Sequence, residues 1–277
     1  MKLHGEQKRA AVINDFASFG RCSLAVTLPI LSAMKVQCCA VPTAIFTNHT
    51  GFPSFAWTDY TSHMDDYIAE WLKLGLDFSA IQTGFLGSKA QIDFVFRFLD
   101  AFRRKDTIVA IDPVMGDYGK LYSTYDRDLA EAMRRLLPVA DILTPNLTEA
   151  CVLAGREYDP AMDDAELQAI AEALSRPNGA NVVITGIQRE PGRLANFVYT
   201  PDGAGETLFE EKIGPDRSGT GDVFAGVILA DAVNGVDFKA SVRKASAYVA
   251  ATIRRSQALA IPVKNGLAIE ETLGMLI

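Results

Sequence analysis

Short apolar runs rich in β-branched residues recur along the chain and alternate with stretches of helical period. Ala10–Ile13 (AAVI), Val36–Val41 (VQCCAV), Ser79–Gln82, Thr107–Ile111 (TIVAI), Asp141–Leu143 and Asn181–Ile184 (NVVI) read as strands. Their near-continuous apolar character suits strands buried on both faces of a parallel sheet. The gaps carry helical stripes. Leu129, Met133, Leu136 and Leu137 follow i, i+4, i+7, i+8 spacing, with Pro138 as the stop. Leu167, Ile170, Ala171 and Leu174 form a second stripe, with Asp163 or Asp164 as its N-cap. Tyr67, Ile68, Trp71 and Leu72 form a third, ending before Gly75. Strand–helix alternation predicts right-handed crossovers and a doubly wound α/β sheet. Between Arg193 and Ile213, Phe197-Val-Tyr and Thr207-Leu-Phe flank Asp202-Gly203, which predicts a β-hairpin.

Polar residues gather where the strands should end. Asp112, Thr144 and Thr185 each follow an apolar run directly. In open α/β sheets, ligands bind at the carboxyl ends of the strands. Three candidate site residues thus fall at one sheet edge. No linker, repeat or low-complexity segment interrupts the pattern, so a single domain over residues 1–277 is expected.

Composition then narrows the class of partner. The chain is 49% hydrophobic and 22% charged, an ordinary globular balance. Its 27 Lys+Arg against 34 Asp+Glu give a net charge of −7. That argues against nucleic acid, whose phosphates call for a basic face. The longest apolar run, Val223–Ala230, falls well short of the roughly 18 residues of a membrane span. The N-terminus, MKLHGEQKRA, lacks the apolar centre of a signal peptide, so a cytoplasmic protein is expected. Cys22, Cys38, Cys39 and Cys151 include no C-x-x-C pair. They read as small buried hydrophobes rather than a zinc or thioredoxin-type site.

The strongest chemical signal is Ser218-Gly219-Thr220-Gly221-Asp222, followed by the apolar run VFAGVILA and closed near Asn234-Gly235. Glycines let backbone approach a ligand closely. Free N–H groups at a helix start, with the helix dipole, favour a phosphate. Asp222 in the first turn is placed either to cap that helix or to act as a base beside a phosphate. The common nucleotide motifs are absent. Leu121 follows Gly119-Lys120, which breaks a P-loop, and Phe224 stands where the Rossmann fingerprint needs glycine.

Gly219-Thr220-Gly221-Asp222 resembles the GTGD/GAGD signature of the ribokinase superfamily. Asp112-Pro-Val-Met-Gly-Asp117-Tyr-Gly-Lys-Leu-Tyr122 and Thr144-Pro-Asn-Leu-Thr-Glu149-Ala resemble its vitamin-kinase branch, specifically the pyridoxal kinases. So does Phe46-Thr-Asn-His-Thr-Gly-Phe52. The four motifs stand in the family's order and span most of the chain. The resemblance implies a ribokinase-like, three-layer α/β/α fold, with a central mostly parallel sheet flanked by helices on both faces. It implies an ATP-dependent kinase acting on the 5′-hydroxymethyl group of a vitamin B6 vitamer.

Residue roles follow from the same resemblance. Asp222 is the catalytic base, and the amides of Gly219, Thr220 and Gly221 form an anion hole. Asp112, Asp117 and Glu149 match acidic positions near the nucleotide phosphates and a Mg²⁺ ion. K⁺ is often used in this branch. Thr144, Asn146, Thr185 and Gly186 match nucleotide contacts, although many relatives carry Ser where Gly186 stands. Tyr122 matches an aromatic on a flap over ATP. Phe46, His49, Thr50 and Phe85 match the substrate side. Pyridoxal kinases carry a serine at the end of the first strand, where this chain has Asp15. A carboxylate there favours a cationic or donor-rich substrate such as pyridoxamine. A homodimer is the family's habit. Two other readings are a hydroxymethylpyrimidine kinase of thiamin synthesis, or another ribokinase-type small-molecule kinase, and a non-catalytic nucleotide- or vitamin-binding regulator. The last has no need for Asp222.

Overall fold

The computed structural model of the protein describes residues 6–190 and 192–277. The first five residues of the polar N-terminal stretch lie outside them. The chain forms two compact units, residues 1–108 with 213–277, and residues 109–212.

The first unit opens with β1 (Arg9–Ala17), α1 (Leu24–Ala33), β2 (Gln37–Phe46), β3 (Trp57–Asp59), α2 (Thr61–Lys73), β4 (Ala80–Thr83) and α3 (Lys89–Phe102). Its strands lie in the order β4-β1-β2-β3. β1 is parallel to both β4 and β2, and β3 returns antiparallel. Ile13 and Ile81 are fully buried, as expected for strands covered on both faces. The register of β1 on β2 shifts between Asn14 and Phe16. Bulges of this kind re-aim side chains, and Asp15 sits at this one. β1 therefore runs four residues past the predicted Ile13.

The second unit holds β5 (Ile108–Ile111), a two-stranded hairpin of β6 (Gly116–Asp117) and β7 (Lys120–Leu121), α4 (Arg127–Ala132), β8 (Ile142–Leu143), α5 (Leu147–Ala154), α6 (Asp164–Ser175), β9 (Asn181–Glu190), β10 (Arg193–Tyr199) and β11 (Glu206–Glu211). Its strand order is β5-β8-β9-β10-β11. The first three are parallel, and β9, β10 and β11 form antiparallel pairs. The predicted hairpin is β10–β11. Thr185 does not end its strand: β9 continues to Glu190 through an irregularity opposite Ala195–Phe197, where Gly186 takes φ +73°. Glycine permits that left-handed step inside a strand.

The stripe at Leu129–Leu137 is only partly α-helical. α4 ends at Ala132 and the chain tightens into a 3₁₀ segment, Met133–Val139, that contains Pro138. Proline cannot donate the hydrogen bond that an α-helix needs at that position. α6 is capped as read, by Asp163 in a reciprocal capping box with Glu166. The third stripe lies on α2, where Leu72 is exposed and Met64 is the buried residue.

The chain then returns to the first unit as α7 (Thr220–Asn234) and α8 (Phe238–Ala258). α7 is buried along most of its length from Val223 to Val233, and it ends at Gly235 in the left-handed region.

Candidate active site

In the first unit, Asp222 occupies the opening turn of α7. Gly219 caps that helix with φ +84°, and a Cβ there would lie 2.1 Å from the Arg21 carbonyl oxygen. Glycine is therefore required twice, by the dihedral and by the contact. The amides of Thr220, Gly221 and Asp222 lead the helix, where no intrahelical acceptor exists. Thr220 donates its hydroxyl to the Arg217 carbonyl at 3.2 Å. Arg217 is buried and donates to the carbonyls of Ile261, Pro262 and Gly266.

Asp222 is faced by β1 and the loop after it. Asn14 Nδ2 donates to Asp222 Oδ1 at 3.2 Å. Ser23, with φ +55°, lies near two acids: its N–H eases ionisation of Asp222 and its side chain that of Asp15. Burial pushes the Asp222 carboxyl above its ordinary range, and those two donors oppose it. Asp15 is buried and raised to about 7, chiefly by desolvation, with the neighbouring Asp222 charge adding to the rise. Neither Asn14 nor Ser23 stood out in the sequence. A polar pair closing an apolar strand was the signal for Asn14. Nothing in the sequence marks the left-handed backbone of Ser23.

An aromatic wall stands in the same unit. Phe46 stacks on Trp57 at 5.4 Å between centroids, and meets Phe85 at 5.9 Å and Phe55 at 6.0 Å. Phe46 and Phe85 are buried, while Phe55 and Trp57 are partly exposed. Thr50 is exposed in the loop that follows β2. His49 has partners on both ring nitrogens: Nε2 is 2.7 Å from the Lys264 carbonyl and Nδ1 accepts from the Gly51 N–H at 3.1 Å. That pattern sets the tautomer with the proton on Nε2 and ties the loop to residues 261–266.

The second unit gathers the remaining candidates. Thr144 donates to Asp112 Oδ1 at 3.1 Å, both at strand ends. Asn146 caps α5 in a capping box with Glu149. Glu149 accepts the Met115 N–H at 3.0 Å on one oxygen and the Asn146 N–H at 2.8 Å on the other. Asn146 also donates to the Gly116 carbonyl at 2.7 Å. These two side chains anchor the base of the β6–β7 hairpin, which carries Asp117. Tyr122 follows it and is half-exposed. Burial drives the Glu149 carboxyl well above its usual range, and the Asp112 and Asp117 charges add to that. Thr185 is half-buried and pairs through its N–H with the Pro145 carbonyl at 2.9 Å. Among the described residues, no three His, Cys, Asp or Glu side chains gather into a metal cage. Glu149 accepts one main-chain donor on each oxygen, and Asp112 accepts from Thr144 and Asp117 from the Tyr118 N–H.

The model of the phosphomethylpyrimidine kinase family matches residues 28–266. The chain belongs to that family. A pyridoxine/pyridoxal/pyridoxamine kinase of Bordetella bronchiseptica is 26% identical over 251 residues, 86% of each chain. A hydroxymethylpyrimidine/phosphomethylpyrimidine kinase of Haemophilus influenzae is 29% identical over 188 residues, covering 66% of this chain and 68% of the relative. A Bacteroides thetaiotaomicron protein, provisionally named a phosphomethylpyrimidine kinase and crystallised with pyridoxal, matches with a TM-score of 0.94 and 35% identity. That match covers 98% of this chain and 96% of the other. The fold is thus the expected ribokinase-like α/β/α class with a mostly parallel sheet. The protein is a phosphotransferase to an alcohol group, with ATP as co-substrate. Among the described residues, no helix is long and apolar enough to cross a membrane.

Proposed function

We propose that this kinase phosphorylates the 5′-hydroxymethyl group of a vitamin B6 vitamer, pyridoxal, pyridoxine or pyridoxamine, with Asp222 as base. The observation that carries this reading is the buried Asp15 beside Asp222, in a unit that also presents the Phe46–Trp57–Phe85 wall. Such surroundings suit a flat heterocycle that offers a cationic or N–H donor to one carboxyl and a hydroxyl to the other. A pyridine nitrogen is more basic than a pyrimidine nitrogen. An acid held near pH 7 is matched to a pyridinium, so the pair shares one proton in a charge-assisted hydrogen bond. The pyridoxal-bound Bacteroides structure and the Bordetella relative support the same choice.

In the step itself, the hydroxymethyl oxygen attacks the γ-phosphorus of ATP in line. The bond to the bridging oxygen of ADP breaks, and the hydroxyl proton passes to Asp222. Phosphoryl transfer depends mainly on positioning and on charge stabilisation. Asp222 therefore acts chiefly by aligning the hydroxyl, with its raised proton affinity helping late in the transfer. The amides of Gly219, Thr220 and Gly221 stabilise the transferring group, where a single preorganised donor is worth about 3 kcal/mol. Asp112 and Asp117 would hold Mg²⁺ through water, and the ion would supply charge neutralisation on the phosphates. Thr144 orients Asp112, and Asn146 with Glu149 shapes the hairpin that bears Asp117. Tyr122, Thr185 and Gly186 complete the nucleotide side.

The second reading is a hydroxymethylpyrimidine kinase, which the matching family's description favours. Its substrate also carries a hydroxymethyl group, and its exocyclic amine also suits Asp15. A steady-state panel of the three vitamers and hydroxymethylpyrimidine separates the two. We expect kcat/KM at least tenfold higher for a vitamer. The reverse order would assign the enzyme to thiamin synthesis. Within the panel, Asp15→Ser should weaken pyridoxamine more than pyridoxine, and unchanged pyridoxamine affinity would remove Asp15 from substrate recognition.

A further inference from the structure

Resting on Asp222 as the base, we propose that Asn14 is its positioning residue, a fixed amide donor that sets the rotation of the Asp222 carboxylate. Asn14 is buried in β1. Its Oδ1 accepts two main-chain bonds, from the Asp15 N–H at 2.9 Å and from the Phe85 N–H at 2.8 Å. An amide oxygen has two lone pairs, and both are used. Turning the amide over would set its NH₂ against two N–H donors. The Nδ2 group is therefore committed to the Asp222 side, where it lies 3.2 Å from Oδ1.

The surrounding backbone is built to hold that amide. The Gly84 N–H bonds the Ile13 carbonyl at 2.9 Å, which brings the turn after β4 against the end of β1. A Cβ on Gly84 would stand 2.4 Å from Asn14 Cγ. Thr83-Gly84 needs glycine there because the Asn14 amide occupies the space. Asn14 thus joins β1, the turn after β4 and the first turn of α7 through one side chain. Asp15 and Cys22 also lie near Asp222, and the Ser23 N–H approaches it from the loop. Burial favours protonation of the base. The Asn14 donor favours its anion and holds Oδ1 on the amide side.

Asn14→Asp keeps the accepting oxygen, removes the NH₂ donor and adds a carboxyl beside Asp222, so Gly84→Ala is paired with it to separate the two effects. We expect kcat to fall about tenfold or more, with KM for ATP within twofold of the parent. The acid limb of the kcat profile should move up by about one pH unit, as expected when a hydrogen bond to a charged group is lost. Gly84→Ala displaces the same amide without adding charge and should move the limb in the same direction. A merely structural Asn14 would lower thermal stability in both variants and leave the limb in place. Parental kcat and limb in a folded Asn14→Asp protein overturn the proposal. If that variant does not fold, Gly84→Ala decides on the same criterion. Asp222→Asn is run alongside: parental activity there removes the base assignment and this inference with it. An inactive Asp222→Asn with parental Asn14→Asp and Gly84→Ala overturns the inference alone.

Discussion

Asp15 and Asp222 are two carboxyls in one buried patch, and the tasks proposed for them differ as their surroundings do. Asp222 accepts from the Asn14 amide and has the Ser23 N–H near it, and both support its charged form. Asp15 keeps its proton up to about pH 7 because burial and the Asp222 charge both disfavour ionisation. The folded chain therefore binds this proton more tightly than the unfolded chain does. Stability is lost as pH rises from about 4 to about 7, and no further above that. Asp15→Asn removes the penalty. Its urea midpoint should gain on the parent's steadily across that window and hold a constant lead above it. Asp222→Asn should reduce kcat by about 10²- to 10⁴-fold, the range for loss of a positioned base, while ATP still binds in calorimetry. A residual rate near the parent's would remove Asp222 from the chemistry.

At the scale of elements, helix starts hold the candidate site. The opening of α7 depends on Gly219, which is left-handed and pressed against the Arg21 carbonyl. Gly219→Ala forces that contact apart at a strained dihedral. We expect about 1–3 kcal/mol of lost stability and a larger loss in kcat than in substrate affinity. The loop before α7 is held by buried Arg217, and the loop bearing Thr50 is held by His49. Both donate to carbonyls of residues 261–266. The start of α5 works differently. Its capping box uses Glu149, whose two oxygens hold Met115 and Asn146. Glu149→Gln retains one accepting oxygen and should cost about 1–2 kcal/mol in chemical denaturation. It should also raise KM for ATP, because the β6–β7 hairpin loses an anchor. Unchanged ATP kinetics would reduce Glu149 to a stabilising cap.

Over the whole molecule, the candidate residues divide by unit. Asp15, Phe46, His49, Thr50, Phe85 and Asp222 lie in the first unit, and Asp112, Asp117, Thr144, Asn146 and Glu149 lie in the second. Steady-state constants should divide in the same way. Thr144→Val should raise KM for ATP severalfold and leave KM for the acceptor within twofold. Phe46→Ala should do the opposite. A uniform rise in both constants from either change would contradict this division. The net charge of −7 fits an ATP-binding protein on this view. Free main-chain amides at a helix start can receive phosphate without a basic surface.

Much of the fold could be read from the sequence, because burial on both faces of a sheet and on one side of a helix writes a period into the residues. β5, β8, the β10–β11 hairpin, α6 with its Asp163 cap and α7 with its Gly235 end all show it. The irregularities could not be read that way. A register shift at Asn14–Phe16, a left-handed step at Gly186 and a 3₁₀ turn over Pro138 arise from pairing partners and ring sterics, which leave no period. Motifs pointed to candidate residues for the chemistry, since Gly219–Asp222 is a contiguous run. They could not tell which groups hold those residues. Asn14 lies 208 positions from Asp222 in the chain. Glu149 reads in the sequence as a metal-facing acid, and the structure adds that its oxygens also accept two main-chain N–H groups. Sequence alone determined the strand–helix period and the contiguous motifs. Only the tertiary structure decided which donors set the charge and rotation of each carboxyl, because hydrogen bonding and desolvation depend on neighbours that the folded backbone brings into reach.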